Sequence, residues 1–190
     1  MKDVVVLGGP NGAGKTTAAQ WLLPHSLGIR EFVNADEIAR GLSPFNPDGS
    51  AIAAGRLMIG RIRALARAGE SFAFETTCAG RGHARLLQAC RAQGYRTTLI
   101  FLWLPSPAAA LARVAQRVRD GGHDVPRATV ERRYFAGLRN AGELYIPVCD
   151  RVFIYDNSDD GGTLVAERRG ARAWKVYDRP RWTTIEEGMK

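Results

Sequence analysis

The chain has 190 residues, 45% of them hydrophobic and 24% charged, which suffices for the core of one globular α/β domain. No apolar run is long enough to cross a bilayer, and no signal peptide precedes the first strand-like run, so we expect a cytoplasmic protein without a membrane partner. Three scattered cysteines disfavour a zinc site or disulfide framework, and the net charge of +8 favours an acidic partner: a nucleotide, a phosphorylated metabolite or nucleic acid.

The first predicted strand, residues 3–9, is an apolar run that ends in glycines, and a helix is predicted over residues 14–23. The segment GPNGAGKT at their junction fits the pattern G-x-x-x-x-G-K-[ST] at every position. Its backbone N–H groups would hold phosphate oxygens, Lys15 would reach the β- and γ-phosphates, and the Thr16 hydroxyl would ligate Mg²⁺. The residues expected to bind the nucleotide are Gly9, Pro10, Asn11, Gly12, Ala13, Gly14, Lys15, Thr16 and Thr17.

The phosphate loop alone does not say what happens to the γ-phosphate, because ABC ATPases, GTPases and small-molecule kinases all share it. An ABC ATPase would need an LSGGQ-like segment and an acidic pair after its Walker B strand, whereas Asn157 follows Asp156 here. A GTPase would need an NKxD-type motif, and the sequence contains none. By elimination the chain is predicted to be a small kinase with a second substrate and a mobile lid.

A second strand is predicted over residues 31–34, and Asp36 follows it at the start of a helix. The carboxyl ends of strands in an open α/β sheet face the ligand crevice, where a kinase needs a carboxylate to orient a hydroxyl and accept its proton. Alternatively, Asn34 and Glu37 have the spacing of a capping box, in which Asp36 would only complement the helix dipole. The residues themselves leave both interpretations open.

A long helix is predicted over residues 50–70, with Ile52, Ile59 and Ile62 at helical spacing and Gly69 as its stop. The third strand, residues 71–77, brings Glu75 to the same carboxyl edge as Asp36. Glu75 is either a substrate contact or a buried acid paired with an arginine.

The next predicted elements are a helix over residues 82–93, a strand over 95–105 and two helices over 107–119 and 126–140. The last two flank the glycine-rich segment DGGHDVP and carry many guanidinium groups: Arg113, Arg117, Arg119, Arg127, Arg132 and Arg133. A flexible basic segment beside a phosphate loop favours a lid that excludes water and brings positive charge to the transferred group. The alternative is a solvated basic hairpin.

A fifth strand is predicted over residues 151–157, and alternating segments around a glycine turn predict a hairpin over about 161–180. Strands that alternate with helices imply a parallel sheet covered on both faces. We therefore expect an α/β fold of three layers, a P-loop NTPase with a five-stranded, mainly parallel sheet. One domain would span 1–190, with a core over 3–158, a lid over 107–140 and the terminal hairpin.

Five segments together resemble the zeta-toxin family of P-loop kinases, in its short-chain branch: GPNGAGKTT, FVNADEIARGLSP, SFAFETT, RVAQRVRDGGHDVPRATVERRY and IYDNS. The resemblance covers about residues 3–158 and implies an adenylate-kinase-like fold. It also implies transfer of the γ-phosphate of ATP to the 3′-hydroxyl of the amino sugar in UDP-N-acetylglucosamine. An antitoxin protein often restrains members of the family.

The resemblance assigns roles to residues that the motifs contain. Lys15 and Thr16 match the nucleotide and Mg²⁺ residues, and Asp36 matches the catalytic base. Glu75, Thr76 and Thr77 match the strand end that holds the sugar substrate.

The lid arginines are assigned in the same way. Arg117 matches the first lid arginine, with Arg113 as its neighbour. Proline-anchored spacing puts His123 near the second lid position, while Arg132 and Arg133 offer positive charge later. If His123 is the match, the positive charge on the transition state must come from another residue. The long insertions of larger members are absent, so the identity of the acceptor does not follow from the resemblance.

Two other functions remain open at this level. A kinase that acts on RNA or nucleic-acid ends would suit the net charge and the region of Trp174 and Trp182, although the basic residues cluster at the lid and do not interleave with aromatics. A non-catalytic P-loop switch would need neither the base nor the lid. The preference for ATP over GTP rests on the resemblance alone.

Overall fold

One mixed sheet organises the part of the chain that the structure, a computed structural model, describes: residues 2–122, 124–159 and 161–190. Within these residues seven strands pair in the order β2-β3-β1-β4-β5-β6-β7. The strands are β1 (Asp3–Gly8), β2 (Glu31–Val33), β3 (Phe72–Thr76), β4 (Arg96–Trp103), β5 (Arg151–Asp156), β6 (Thr163–Arg169) and β7 (Lys175–Val176). Strands β1 to β5 are parallel, as predicted, and their carboxyl ends share one edge.

Helices alternate with these strands and cover both faces of the sheet. They are α1 (Lys15–Leu22), α2 (Ala35–Leu42), α3 (Ala51–Ala68), α4 (Gly82–Ala92), α5 (Pro107–Arg119), α6 (Arg127–Asn140) and α7 (Arg179–Gly188). Residues Val4 to Leu7 of β1 point alternately to the two faces and are at most 3% exposed, so apolar layers lie on either side. The central strand therefore carries a continuous apolar run, without the alternation of a half-exposed strand.

The buried face of α3 differs from the predicted one only in the first half of the helix. Ile62 is buried as predicted, but Ile52 is 74% exposed, and Ala54 and Met58 take the buried positions there. Positions 54, 58 and 62 recur every four residues and therefore lie on one helix face, to which Ile52 does not belong. Gly69 ends the helix in a left-handed conformation, with φ +74°, as expected.

The predicted five-stranded sheet with a separate hairpin is wrong in its strand count. Strand β6 pairs antiparallel with β5 and β7 pairs with β6, so the hairpin extends the main sheet. The reason is that the free edge of β5 offers unpaired backbone groups, and the hairpin satisfies them along the whole strand, from Arg151↔Arg169 to Asp156↔Thr163.

Helix α7 was not predicted from the sequence. Asp178 caps it, with its side chain accepting a hydrogen bond from the N–H of Arg181, and Pro180 occupies its first turn. Its Trp182 is buried and lies 4.5 Å, centroid to centroid, from the ring of Trp174. The two tryptophans therefore pack against each other and do not form an exposed stacking surface.

The three cysteines, Cys78, Cys90 and Cys149, are buried free thiols. Among the described residues, none of the helices combines the length and hydropathy that a bilayer crossing requires.

Candidate active site

The phosphate loop joins β1 to α1 at the carboxyl edge of the sheet. Gly9 has φ +141°, and a Cβ on it would lie 2.3 Å from the carbonyl oxygen of Leu102 in the neighbouring strand. Gly14 caps α1 with φ +77°, and no acidic residue occupies the first turn. The backbone N–H groups at the start of α1 are thus directed out of the loop, where they can bind an anion.

Lys15 and Thr16 at the start of α1 both contact Glu75 at the end of β3. The Lys15 ammonium is 5% exposed, donates to the carbonyl of Pro10 at 2.8 Å, and lies 3.7 Å from Glu75 Oε1. The Thr16 hydroxyl donates to Glu75 Oε2 at 2.7 Å. The sequence predicted Glu75 as a substrate residue, and the structure places its carboxylate against the phosphate loop.

The residues around Thr16 fit a magnesium ion. A hydroxyl and a carboxylate, both hard oxygen ligands, lie 2.7 Å apart beside the phosphate loop. Within the described ranges, no group of three or more His, Cys, Asp or Glu side chains could hold a metal alone. This donor set suits Mg²⁺, which binds through one or two protein oxygens and completes its shell with phosphates and water.

Asn34 connects helix α2 to the same carboxylate. Its Oδ1 accepts the N–H of Asp36 at 2.8 Å and caps the helix, while its Nδ2 donates to Glu75 Oε2 at 3.1 Å. The predicted capping box is only half formed, because Glu37 pairs with Arg40 at 3.0 Å instead of reaching back to Asn34. Asp36 therefore sits in the first turn with an exposed carboxylate, held in place by the cap.

A cleft of about 390 Å³ opens above this cluster. The predicted residues on its walls are Asn11, Gly12, Lys15, Asp36, Glu75, Thr76, Thr77, Arg117, Arg132 and Arg133. The carboxylate of Asp36 and the guanidinium groups of α5 and α6 thus face one space, which is the arrangement that phosphoryl transfer to a hydroxyl requires. His123, the other candidate for the second lid position, lies outside the described residues.

Helix α6 and the segment that follows it hold the turn over residues 77–80, which forms part of the cleft wall. Asn140 donates from Nδ2 to the carbonyl oxygens of Cys78 and Ala79, at 2.9 and 3.0 Å, and the Tyr145 hydroxyl donates to Gly80 at 2.7 Å. Cys78 has φ +59°, a conformation that non-glycine residues rarely adopt. Burial raises the pKa of its thiol to about 12, so it is not a nucleophile at neutral pH.

His83 lines the cleft and was missed by the sequence analysis. Its Nδ1 lies 3.3 Å from the Thr76 hydroxyl, its ring packs 5.3 Å from that of Phe74, and burial lowers its pKa. A neutral imidazole next to Thr76 can exchange a hydrogen bond with an acceptor substrate. The signal in the sequence was a histidine in the first turn of the helix after β3, within the segment GRGHAR.

Arg113 does not line this cleft, although it precedes Arg117 by one helical turn. It faces a second groove of about 500 Å³ on the other side of Gly14. Its guanidinium donates to the carbonyl of Ser158 at 2.5 Å, and Asn157 donates from Nδ2 to the carbonyl of Ala13 at 2.7 Å. The loop after β5 is thereby tied both to helix α5 and to the phosphate loop.

Comparisons with known proteins agree with this architecture. A model of the AAA domain family, AAA_33, matches residues 4–134. An uncharacterized protein of Haemophilus influenzae is 28% identical over 126 residues, which make up 66% of this chain and 88% of that protein.

Many solved structures share the fold, and two of them are compared with this chain. A chain of the PezAT chromosomal toxin-antitoxin system of Streptococcus pneumoniae has a TM-score of 0.64 at 14% identity, covering 100% of this chain and 86% of that one. A chain of AvrRxo1-ORF1:-ORF2 with ATP has a TM-score of 0.75 at 17% identity. The alignment spans all of this chain but 65% of the AvrRxo1 chain, so a third of the latter has no counterpart here.

Proposed function

The chain belongs to the AAA domain family, AAA_33, and we propose that it is an ATP- and Mg²⁺-dependent kinase of a small hydroxylated metabolite. The observation that carries this proposal is the cleft in which Asp36 faces Lys15, Arg117, Arg132 and Arg133. A simple nucleotide switch has no use for a potential base beside a set of phosphate-binding cations in one cleft, but a kinase needs both.

ATP would span the two openings on either side of the phosphate loop. Its phosphates would take the backbone N–H groups at the start of α1 and the ammonium of Lys15. Its base and ribose would lie in the second groove, between Arg113 and the loop after β5, where apolar and aromatic side chains such as Trp21 and Tyr155 line the surface. Arg113 is then a nucleoside contact, which distinguishes it from Arg117.

Thr16 and Glu75 would hold the magnesium ion. When bound, the ion supplies charge neutralisation on the β- and γ-phosphates. Glu75 accepts hydrogen bonds from Thr16 and Asn34, which fix the direction of its carboxylate before any ligand arrives. This role replaces the direct contact with the sugar that the resemblance implied for Glu75.

Asp36 would orient the acceptor hydroxyl and take its proton as the oxygen bonds to the γ-phosphorus. The bond between that phosphorus and the β,γ-bridging oxygen breaks, and ADP leaves with the electron pair. Lys15 and the three arginines of the cleft would stabilise the charge on the transferred group. The lid helices α5 and α6 would exclude water from this space when they close.

The acceptor that we propose is UDP-N-acetylglucosamine, phosphorylated on the 3′-hydroxyl of the sugar. The support is the resemblance to zeta toxins and the polar wall that Thr76, Thr77 and His83 form. The PezAT structure belongs to a toxin-antitoxin system, and on that likeness we also propose an antitoxin as protein partner.

A direct assay tests the proposal. The purified chain is incubated with ATP, Mg²⁺ and UDP-N-acetylglucosamine, and the sugar nucleotide is analysed by mass spectrometry for the gain of one phosphate. Parallel reactions offer free sugars, unrelated alcohols and a 5′-hydroxyl RNA oligonucleotide. Phosphorylation of another acceptor, or ATP binding without transfer, would reject the substrate. Phosphoryl transfer that is unchanged in Asp36→Asn would reject the mechanism.

A further inference from the structure

Helix α7 lies beyond the part of the chain that the family model matches, yet one of its side chains reaches the nucleotide side of the fold. Arg181 Nε lies 2.7 Å from Asp156 Oδ2, at the carboxyl end of β5. Asp156 is 6% exposed, so its carboxylate has lost most of its hydration and depends on its partners. Arg181 supplies the positive charge that this buried carboxylate requires.

The other oxygen of the same carboxylate organises the loop that follows. Asp156 Oδ1 accepts hydrogen bonds from the N–H and the hydroxyl of Ser158, at 2.9 and 2.5 Å. The carbonyl of Ser158 in turn accepts the bond from Arg113. A continuous series of polar contacts therefore runs from α7 through Arg181, Asp156 and Ser158 to Arg113 on the lid helix.

The loop in this series forms one wall of the second groove. Asn157 and Asp159 line that groove together with Arg113, and Asn157 is fixed by its bond to Ala13. A Cβ on Gly162 would lie 2.6 Å from Asn157 Oδ1, so the loop is closely packed where the chain turns into β6. A shift of Asp156 would therefore displace the surface that we assign to the nucleoside.

From these contacts we propose that Arg181 is a positioning residue for nucleoside binding: through Asp156 it fixes the loop over residues 157–159 against Arg113. The inference rests on the proposed placement of ATP, with the nucleoside in the second groove. It gives the terminal hairpin and α7 a role in substrate affinity besides covering the edge of the sheet. Arg181 acts through Asp156 and touches neither the phosphates nor the acceptor.

The test compares the binding of ATP with that of inorganic tripolyphosphate, measured by titration calorimetry with Mg²⁺ on the full chain. For Arg181→Gln we expect ATP affinity to fall about tenfold and tripolyphosphate affinity to stay unchanged, because only the former uses the loop after β5. In the transfer assay KM for ATP should rise by a similar factor while kcat at saturating ATP is kept. Unchanged ATP affinity, or an equal loss for both ligands, would overturn the inference.

Two control variants separate this contact from the others that α7 makes. Asp178→Asn removes the second ion pair of Arg181, at 2.6 Å, but keeps a side chain that can cap the helix. Arg179→Gln changes an exposed arginine at the start of the same helix. Both should bind ATP like the wild type, and a loss in either that matches Arg181→Gln would contradict a specific role for the pair with Asp156.

A second route covers the case in which Arg181→Gln lowers stability. Ser158→Ala interrupts the same series of contacts without touching α7, and it should weaken ATP but not tripolyphosphate. The double variant Asp156→Asn with Arg181→Gln should bind ATP no more weakly than the weaker of the two single variants, because each substitution alone already removes their shared interaction. Additive losses of ATP affinity would show that the two residues do not act through one series of contacts. A wild type that binds tripolyphosphate as well as ATP would overturn the nucleoside placement and with it this inference, whereas the proposed kinase activity is tested separately by the transfer assay.

Discussion

Asn34 donates a hydrogen bond to Glu75 at 3.1 Å, and the opposite end of its amide group caps the helix that carries Asp36. One buried side chain thus fixes the carboxylate that we assign to Mg²⁺ and the helix of the proposed base. The two functions of the amide cannot be served by a hydroxyl or a carboxylate at this position, since neither has a donor and an acceptor with the same reach.

Asn34→Ala should therefore lower both stability and turnover. Loss of the cap is expected to reduce the free energy of unfolding by about 1 kcal/mol, and the freed helix start should misalign Asp36 and reduce kcat. Chemical denaturation and the transfer assay measure the two effects. Ser50→Ala is the matched control, because Ser50 precedes α3 without a side-chain capping bond. A loss in the control equal to that of Asn34→Ala would show that the cap is not responsible.

Asp36→Asn should reduce kcat on the order of a hundredfold or more while ATP binding stays intact, because the amide cannot accept the proton of the acceptor hydroxyl. Glu37→Gln serves as control: Glu37 is the next residue of α2, half exposed and paired with Arg40, and its variant should keep wild-type turnover. Equal activity in Asp36→Asn and the wild type would show that another group takes the proton.

The pH dependence of stability should reveal His83. Burial lowers its pKa from the ordinary value of 6.5, so as pH falls the unfolded chain binds a proton before the folded protein does. Its contribution is therefore fully present above about pH 6.5 and is lost progressively below that value, until the folded pKa is passed.

His83→Gln should remove this acid-sensitive part, so that the melting temperature falls less between about pH 7.5 and pH 5 than in the wild type. Thermal melts followed by circular dichroism give the comparison. Arg85→Gln, at an exposed position of the same helix, should keep the wild-type pH profile. A steeper fall in His83→Gln than in the wild type would contradict the assigned sign.

Two helical glycines should respond in opposite ways to alanine. A Cβ on Gly137 would lie 2.2 Å from the carbonyl oxygen of Thr77, whereas one on Gly60 meets no atom within 4 Å. Gly137→Ala should push the turn over residues 77–80 out of place and raise KM for the acceptor, with a loss of stability. Gly60→Ala should stabilise the fold by about 0.5–1 kcal/mol, since alanine restricts the unfolded chain. Denaturation curves that shift in the same direction would refute this difference.

The sequence predicts a structural feature well when the residues that determine the feature are close together along the chain. The phosphate loop and the ends of most elements follow from contiguous residues, such as Gly14, Gly69 and the apolar run of β1, and they are found as expected. The capping of α2 by Asn34 is equally local. These features require only backbone geometry and neighbouring side chains.

The remaining differences depend on contacts between distant residues. Position on the strand end predicted that Glu75 would face a ligand, but its bond to Thr16, 59 positions earlier, exists only once β1 and β3 pair. Arg113 and Arg117 are one turn apart, yet the loop after β5 draws the first into a different groove. Helix α7 had local signals in Asp178 and Pro180, which were overlooked in the sequence. The pair of its Arg181 with Asp156, by contrast, is set by sheet topology.

Helix α6 contributes to the cleft at two places: Arg132 and Arg133 line it where we propose that the phosphates bind, and Gly137 and Asn140 pack against the turn over residues 77–80, which we assign to the acceptor. We therefore expect the two substrates to be coupled through this helix. If bound ATP shifts Arg132 and Arg133, the turn over residues 77–80 should shift with them, and ATP should change the affinity for the acceptor by the same factor by which the acceptor changes the affinity for ATP. Titration of the acceptor with and without a non-hydrolysable ATP analogue would measure this coupling. Helix α6 would then link two ligands that depend on different residues of it.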